Sequence, residues 1–303
     1  MTDDRDGAGT RKGVSMTRVT LSSTLDRARR DSAAAAARSG AEIHEVSDLD
    51  GLRSVSRVLD HIWRRSGESS LVPFELLRAM SHGGNYVASA SVGGDIVGAA
   101  FGFRAEYDGE PVLHSHVLGV VRSTRSRGVG FALKQHQRVW CLEHGLSKMT
   151  WTFDPLVRHN AYFNLTRLGA EIAAYLPHFY GEMHDGINGG DSDRLLVRWD
   201  LLSERADAGA RFERLAPPQE LVDRALALLV DQEGIPSLRD GDDGFVRCQV
   251  PADIVEMRRS DADAAERWRV SLRDAMSPRL ADGYRVHGIT RDGWYLLAHR
   301  SQL

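Results

Sequence analysis

Val117-Leu118-Gly119-Val120-Val121-Arg122-Ser123-Thr124-Arg125-Ser126-Arg127-Gly128-Val129-Gly130-Phe131-Ala132-Leu133-Lys134 is the stretch on which the fold turns. An apolar strand pattern runs into a short turn of arginine and glycine, and a helix pattern starts directly after it. Glycines at i and i+2 let backbone N–H groups crowd around a guest without interference from Cβ. The helix start adds unpaired N–H donors and the positive end of a dipole. Together they predict an anion site, most naturally for phosphate, with Arg122, Arg125 and Arg127 beside it. A dinucleotide turn needs a third glycine near Leu133, and a P-loop ends in Gly-Lys-Ser/Thr; neither is present. A tight turn with surface arginines is the alternative for the same residues.

The chain of 303 residues is 42% hydrophobic and 27% charged, ordinary for a globular protein with one large or two modest domains. Its formal net charge of −3 argues against general nucleic-acid binding, so the arginine cluster is a local feature. Cys141 and Cys248 stand far apart without metal-ligand spacing, and a reduced, cytoplasmic setting is the simplest reading. No apolar run approaches the length of a membrane span, and the N-terminus lacks a signal peptide's apolar centre.

Working outward, residues 1–40 read as a flexible or partly helical leader, with helix from about Thr24 to Ser39. An alternating strand follows at Ala41–Val46. A helix capped by Asp48 carries the ladder Leu52, Val55, Val58, Leu59, Ile62 and Trp63, and Pro73 opens another through Met80. Tyr86–Ser91 and Ile96–Arg104 form a hairpin, and Val112–Gly119 is the strand entering the loop. Beyond it come a helix at Phe131–Leu142, a strand at Lys148–Phe153 and a short helix after Asn160, for which Asn160 is a plausible N-cap. Tyr175–Met183 and Arg194–Leu201 read as a final strand pair around a polar turn at 185–193. From Ser203 a second region is expected: a linker at 205–213, a helix at 217–232, a strand at 245–250, helices at 252–259 and 263–276, and a hairpin across Asp292-Gly293. No second loop of this kind, and no clear repeat between the halves, is visible.

Arg125-x-x-Gly128-x-Gly130 between strand and helix resembles the acyl-CoA loop of the GNAT superfamily of N-acyltransferases. A wider set is more specific: Thr152-Phe153-Asp154-Pro155-Leu156, Arg158-x-Asn160-Ala161-x-Phe163-Asn164, Leu168-Gly169, Tyr180-Gly181-Glu182-Met183 and Asp193-Arg194. It is similar to a bacterial GNAT subfamily associated with N-acylamino-acid racemases, some of whose members are taken to be amino-acid N-succinyltransferases. Here Asp191-Ser192-Asp193-Arg194 stands where that pattern has Pro-Thr-Asp-Arg, which leaves the acceptor open.

The resemblance implies an α/β (α+β) GNAT fold: a mixed, mostly antiparallel sheet flanked by helices over 41–202, with a small α/β extension at 203–303 on the acceptor side. It implies acyl-CoA, acetyl or succinyl, as co-substrate, and no metal. The partner would be a small amine or amino acid, with no nucleic acid or membrane and with a homodimer as an assembly open to it. CoA would be held by Leu118, Val120, Arg122, Arg125, Ser126, Arg127, Gly128, Val129, Gly130 and Asn160, in a gap between the strand before the loop and the one after it. An N–H near Val120 would serve the carbonyl oxygen. His114 and His116, on one face of that strand, are base candidates, with hydrogen-bonded strand residues as the alternative and Glu106 and Glu182 as runners-up. The family often places a tyrosine acid four residues before the helix-closing glycine. Leu165 stands there, and Tyr162, one turn earlier, is the substitute. Trp63, Arg64, Arg65 and Phe74 lie where the acceptor wall is expected, and Arg158 and Arg194 are further cations for a carboxylate. The absent tyrosine keeps open a non-catalytic acyl-CoA-binding or regulatory module.

Overall fold

The computed structural model describes residues 9–63, 70–184, 189–190, 192–241 and 244–302. In chain order the elements are α1 (Gly9–Ser39), β1 (Glu42–Glu45), α2 (Leu49–Trp63), α3 (Phe74–His82), β2 (Tyr86–Val92), β3 (Asp95–Tyr107) and β4 (Glu110–Val120). A 3-10 turn at Arg122–Arg127 leads to α4 (Val129–Glu143), β5 (Lys148–Phe153), α5 (Arg158–Tyr162) and a π-helical turn at Phe163–Arg167. There follow β6 (Glu171–Leu176), β7 (Met183–His184), β8 (Gly189–Gly190), β9 (Arg194–Asp200), α6 (Glu204–Ala210) and α7 (Gln219–Arg224). The remainder is β10 (Leu226–Gln232), β11 (Ile235–Leu238), β12 (Phe245–Gln249), α8 (Ile254–Ser260), α9 (Ala262–Ala281), β13 (Tyr284–Ile289) and β14 (Trp294–His299).

A seven-stranded sheet runs β1-β2-β3-β4-β5-β9-β6. Its neighbours are antiparallel apart from β4 and β5. A parallel pair needs a crossover, and α4 supplies it. The apolar ladder of α2 buries Leu52, Val55 and Leu59 with Leu77 of α3 against Phe101 and Val117, on one face of the sheet. On the other face α4 packs Leu133 and Trp140 against Leu113, Met149 and Trp151. This is the GNAT fold.

Several expectations are corrected. The helix before β1 begins at Gly9 rather than near Thr24, and it packs on α4. Its buried face is Thr24, Ala28, Ser32, Ala35 and Ser39, spaced by three and four residues. Small residues bring two helices close yet carry little hydropathy, so the segment reads as having little to bury. The strand expected at Tyr175–Met183 is instead β6, and it stops before Pro177. Of the polar turn at 185–193, positions 185–188 and 191 lie outside the described residues, as do Arg64 and Arg65. The expected linker contains α6, whose N-cap Ser203 accepts from Ala206 N–H at 3.1 Å. The helix expected at 217–232 divides into α7 and β10. Glu233 and Gly234, both at positive φ (54° and 88°), form the turn that sends the chain back as β11.

The second sheet runs β11-β10-β12-β14-β13. Its one parallel pair, β10–β12, is flanked as β4–β5 is in the first sheet, and β12-β14-β13 repeats the order β5-β9-β6, but β11 follows β10 in the chain where β3 precedes β4. Trp268, Leu272 and Met276 of α9 share one apolar cluster with Leu195, Val197 and Trp199 of the first sheet.

Extra volume at the α1–α4 contact has no room. Ala28→Leu is expected to destabilise the protein by about 1–3 kcal/mol. Ala34→Leu, on the exposed face of α1, should stay within about 0.5 kcal/mol. Urea denaturation of both variants measures the difference.

Candidate functional site

Strands β4 and β5 pair only through Leu113↔Met149 and His114↔Thr150. Beyond these the two strands part, although β4 continues to Val120 and β5 to Phe153. Val121 N–H donates to Val97 O at 2.8 Å, so the inward-facing positions of β4 toward β3 are 121, 119 and 117. By alternation the N–H and C=O groups of Leu118 and Val120 face the gap. Arg125 Nε reaches Val120 O on that edge at 3.3 Å. The result is a slot with backbone hydrogen-bonding groups along one wall, suited to a narrow chain bearing amides.

The anion loop closes the outer end of the slot. Gly128 sits at φ 87°, a conformation that glycine adopts without Cβ strain, and it forms the junction between the 3-10 turn and α4. The first N–H groups of α4 have no intrahelical acceptor. A Cβ on Gly130 would stand 3.7 Å from Val120 Cγ2 and 3.8 Å from Leu118 Cδ2, so that position borders the same slot. Ser126 and the arginines at 122, 125 and 127 are exposed around it, and Val129 is buried beneath. Together they place an anion-binding loop at the mouth of the slot. Asn160 is the exposed third residue of α5, its own N–H donating to Val157 O, so it is not the helix N-cap; Val157 is.

At the inner end, β4 carries a bulge. Phe101↔Val117 and Phe103↔His114 leave Gly102 facing both Ser115 and His116. A Cβ at Gly102 would approach His114 O to 3.0 Å. His114 and His116 share the α2 side of the sheet, ring centroids 6.4 Å apart, with Phe103 5.2 Å from His114. His114 Nδ1 lies 3.1 Å from Thr150 Oγ1. Burial, then the neighbouring His116 and Lys134, push the His114 pKa down to about 4. Burial also lowers His116. Both rings are therefore neutral near pH 7 and keep one nitrogen as an acceptor. Trp63 ends α2 above this surface: a Cβ on Gly119 would meet its Cζ3 at 2.4 Å, so the indole lies on bare backbone.

The remaining candidates are engaged elsewhere. Tyr162 is half-buried against the main core, and Leu165 is buried within it. Arg158 Nη1 donates to Asp292 O at 3.0 Å, and its side chain lies against Gly293. Arg194 is buried, 3.9 Å from Asp154 and over the Tyr180 ring. Glu106 and Glu182 are exposed. The C-terminal region packs on the first sheet through α9. It grips the end of β5: Arg258 of α8 pairs with Asp154 at 2.5 Å, and Tyr295 of β14 donates to Pro155 O at 2.8 Å. A residue that sequence reasoning passed over is Lys134, buried beside Ser115 at the inner end of the slot. In the chain it opens a polar run, Lys134-Gln135-His136-Gln137-Arg138, which carries no mark of burial. Among the described residues no group of metal-ligating side chains is assembled, and no helix is long and apolar enough to cross a membrane.

Residues 55–169 match the model of the Acetyltransferase (GNAT) family, a little over a third of the chain. No curated protein matches it. Solved structures similar to this chain include a GNAT-family acetyltransferase from Streptococcus pneumoniae (12% identity, 52% of this chain and 98% of that one, TM-score 0.42). Two others are the ribosomal-protein-S18-alanine N-acetyltransferase of Escherichia coli (14%, 53% and 94%, 0.42) and an N-acetyltransferase from Staphylococcus aureus Mu50 (14%, 53% and 98%, 0.43). The likeness to the GNAT acetyltransferase family thus lies in the stretch from Val55 to Gly169.

The histidines give the site a pH signature. In the unfolded chain His114 takes a proton near pH 6.5, whereas in the fold it does so near 4. The unfolded state then binds more protons between these values, so stability is lost as pH falls from about 6.5 toward 4. His114→Gln is expected to flatten this decline, measured as the denaturation midpoint against pH; an unchanged slope would place the effect on other groups.

Proposed function

We propose that this protein is a CoA-dependent N-acyltransferase that moves an acyl group, succinyl or acetyl, to the amine of a small molecule by direct attack in a ternary complex. An amino acid is the preferred acceptor, and succinyl the preferred group, on the resemblance to racemase-associated relatives. The observation that carries the proposal is the parting of β4 from β5 after His114↔Thr150, with the glycine loop at its mouth.

Acyl transfer needs positioning, a proton acceptor for the amine and an N–H for the carbonyl oxygen. Leu118 and Val120 hold the pantetheine amides along the slot, and an outward N–H of this pair serves the oxygen as charge develops on it. The loop and the start of α4 hold the pyrophosphate, with Arg122, Arg125 and Arg127 beside it, and Asn160 borders the donor from α5. The amine enters from the α2 side, over Trp63, and its proton passes to His116 or His114, directly or through water. His114, at about 4, is the weaker base, and His116, the more exposed of the two, is the better placed acceptor. Burial of Leu165 at the position of the usual tyrosine favours one second reading, a module that binds acyl-CoA without turnover.

Free thiol released from acetyl-CoA or succinyl-CoA in the presence of L- and D-amino acids separates the two. Turnover on an amine supports the transferase; CoA binding without turnover on any amine supports the module. Gly130→Trp, which fills the slot beside Val120 and Leu118, is expected to weaken CoA binding by more than about tenfold, read by calorimetry. Undiminished affinity would place CoA elsewhere.

A further inference from the structure

The point where β4 and β5 separate is bridged from below by one side chain. Ser115 and Trp151 are the first residues beyond the last β4–β5 pair. Lys134 of α4 touches both: its Nζ donates to Ser115 Oγ at 2.8 Å and lies 3.9 Å from the centre of the Trp151 ring. Ser115 Oγ in turn donates to Gln137 Oε1 at 3.0 Å. The Trp151 indole is pinned by its Nε1–H to Asn164 Oδ1 at 3.3 Å, an acceptor on the π-helical turn. Lys134 and Ser115 are each only 4% exposed.

A buried ammonium is costly and needs a reason. The hydrogen-bonding neighbours of Lys134 among the described residues are Ser115 and the Met149 sulfur, both uncharged. An apolar residue would fill the same space in α4 without that cost. The titratable groups around it are His114, across β4, and the buried Cys141, further along α4. Met149 and Trp151 of β5 and Asn164 of the π-helical turn carry no charge.

We propose that the Lys134–Ser115 pair is the proton source for the leaving thiolate, in place of the tyrosine that Leu165 displaces. This rests on the transferase reading. The amine nitrogen bonds to the thioester carbonyl carbon, and the C–S bond breaks with its electron pair on sulfur. Sulfur takes the proton of Ser115 Oγ–H, which turns from Gln137, and Lys134 Nζ replaces that proton. The amine's own lost proton leaves by His116. Neutral Lys134 regains a proton from water once CoA departs. Ser115 is the group that meets sulfur, and Lys134 acts through it as a positioning residue. Burial lowers the Lys134 pKa to about 7, which makes the ammonium a ready donor near neutrality.

The test reads the bound product, so it does not depend on turnover. The ultraviolet absorbance of the thiolate is titrated for CoA bound to the full-length protein and to Lys134→Met, Lys134→Arg and Ser115→Ala. Because sulfur and Lys134 share a proton, thiolate absorbance should rise in two coupled steps in the wild type, the first beginning at least about 1 pH unit below the single step of Lys134→Met. Lys134→Arg, a cation that cannot give up its proton, should show one step at low pH. CoA affinity at low pH should match across the set. With a working amine, kcat of Lys134→Met should fall by about 10²-fold or more and lose the wild-type decline above neutrality. Ser115→Ala carries the test if Lys134→Met does not fold. Identical thiol titrations in wild type and folded variants overturn the assignment. A coupled thiol with no amine acylated supports the Lys134–Ser115 site and sinks the transferase reading; a wild type that binds no CoA sinks both.

Discussion

The structure depends on a hydrogen-bond ladder that stops early. Two parallel strands joined through a helix would ordinarily pair along their shared length, because unpaired backbone groups inside a protein are costly. Here β4 and β5 pair through two residues each and then separate. The exposed edge at Leu118 and Val120 is tolerable only if something else satisfies it, and an extended ligand carrying amides is the natural partner. The glycine loop lies at the end of that edge because the same strand feeds the crossover helix. Slot and anion site are therefore consequences of one topological choice.

Keeping the strands apart requires support on both sides. On the β4 side, the bulge at Ser115 and His116 changes the strand's course, and Trp63 presses on Gly119. On the β5 side, the C-terminal region takes hold of residues 154–158 through Arg258, Tyr295 and the Asp292 carbonyl. Buried ion pairs are poor sources of stability, but they fix geometry. In this view the extension acts on the donor slot by setting where β5 ends. Beneath, α4 is covered by the sheet on one side and α1 on the other, so even its polar residues are enclosed. Arg138 illustrates this: fully buried, it donates to Leu201 O at 2.8 Å and to Asp207 at 2.5 Å.

How much of this was legible in the chain follows from how local each feature is. The glycine spacing at 128 and 130 and the apolar run before it act within a few residues, and the loop was read from them. The ladder of α2 and the turn at Asp292-Gly293 are local signals of the same kind. By contrast, α1 buries alanine, serine and threonine, whose hydropathy gives no contrast with a solvated helix. Leu226-Ala227-Leu228-Leu229-Val230 suits a buried strand as well as a helix, and only the Glu233-Gly234 turn decides it. The side chains of Arg158 and Arg194 could not be placed, because their partners, Asp292 and Asp154, lie 134 residues ahead in one case and across the sheet in the other. Lys134 was invisible for the same reason: its meaning depends on Ser115 and Trp151, which are neighbours only after folding.

The central claim is that the edge of β4 beyond the last β4–β5 pair receives the donor. Amide hydrogen exchange of Leu118 and Val120, measured with and without CoA, tests it most directly. Both amides should exchange readily in the free protein and become protected when CoA is added, while Gly119, whose N–H faces β3, changes little. Protection that appears elsewhere on the sheet, with Leu118 and Val120 unaffected by saturating CoA, would contradict the account.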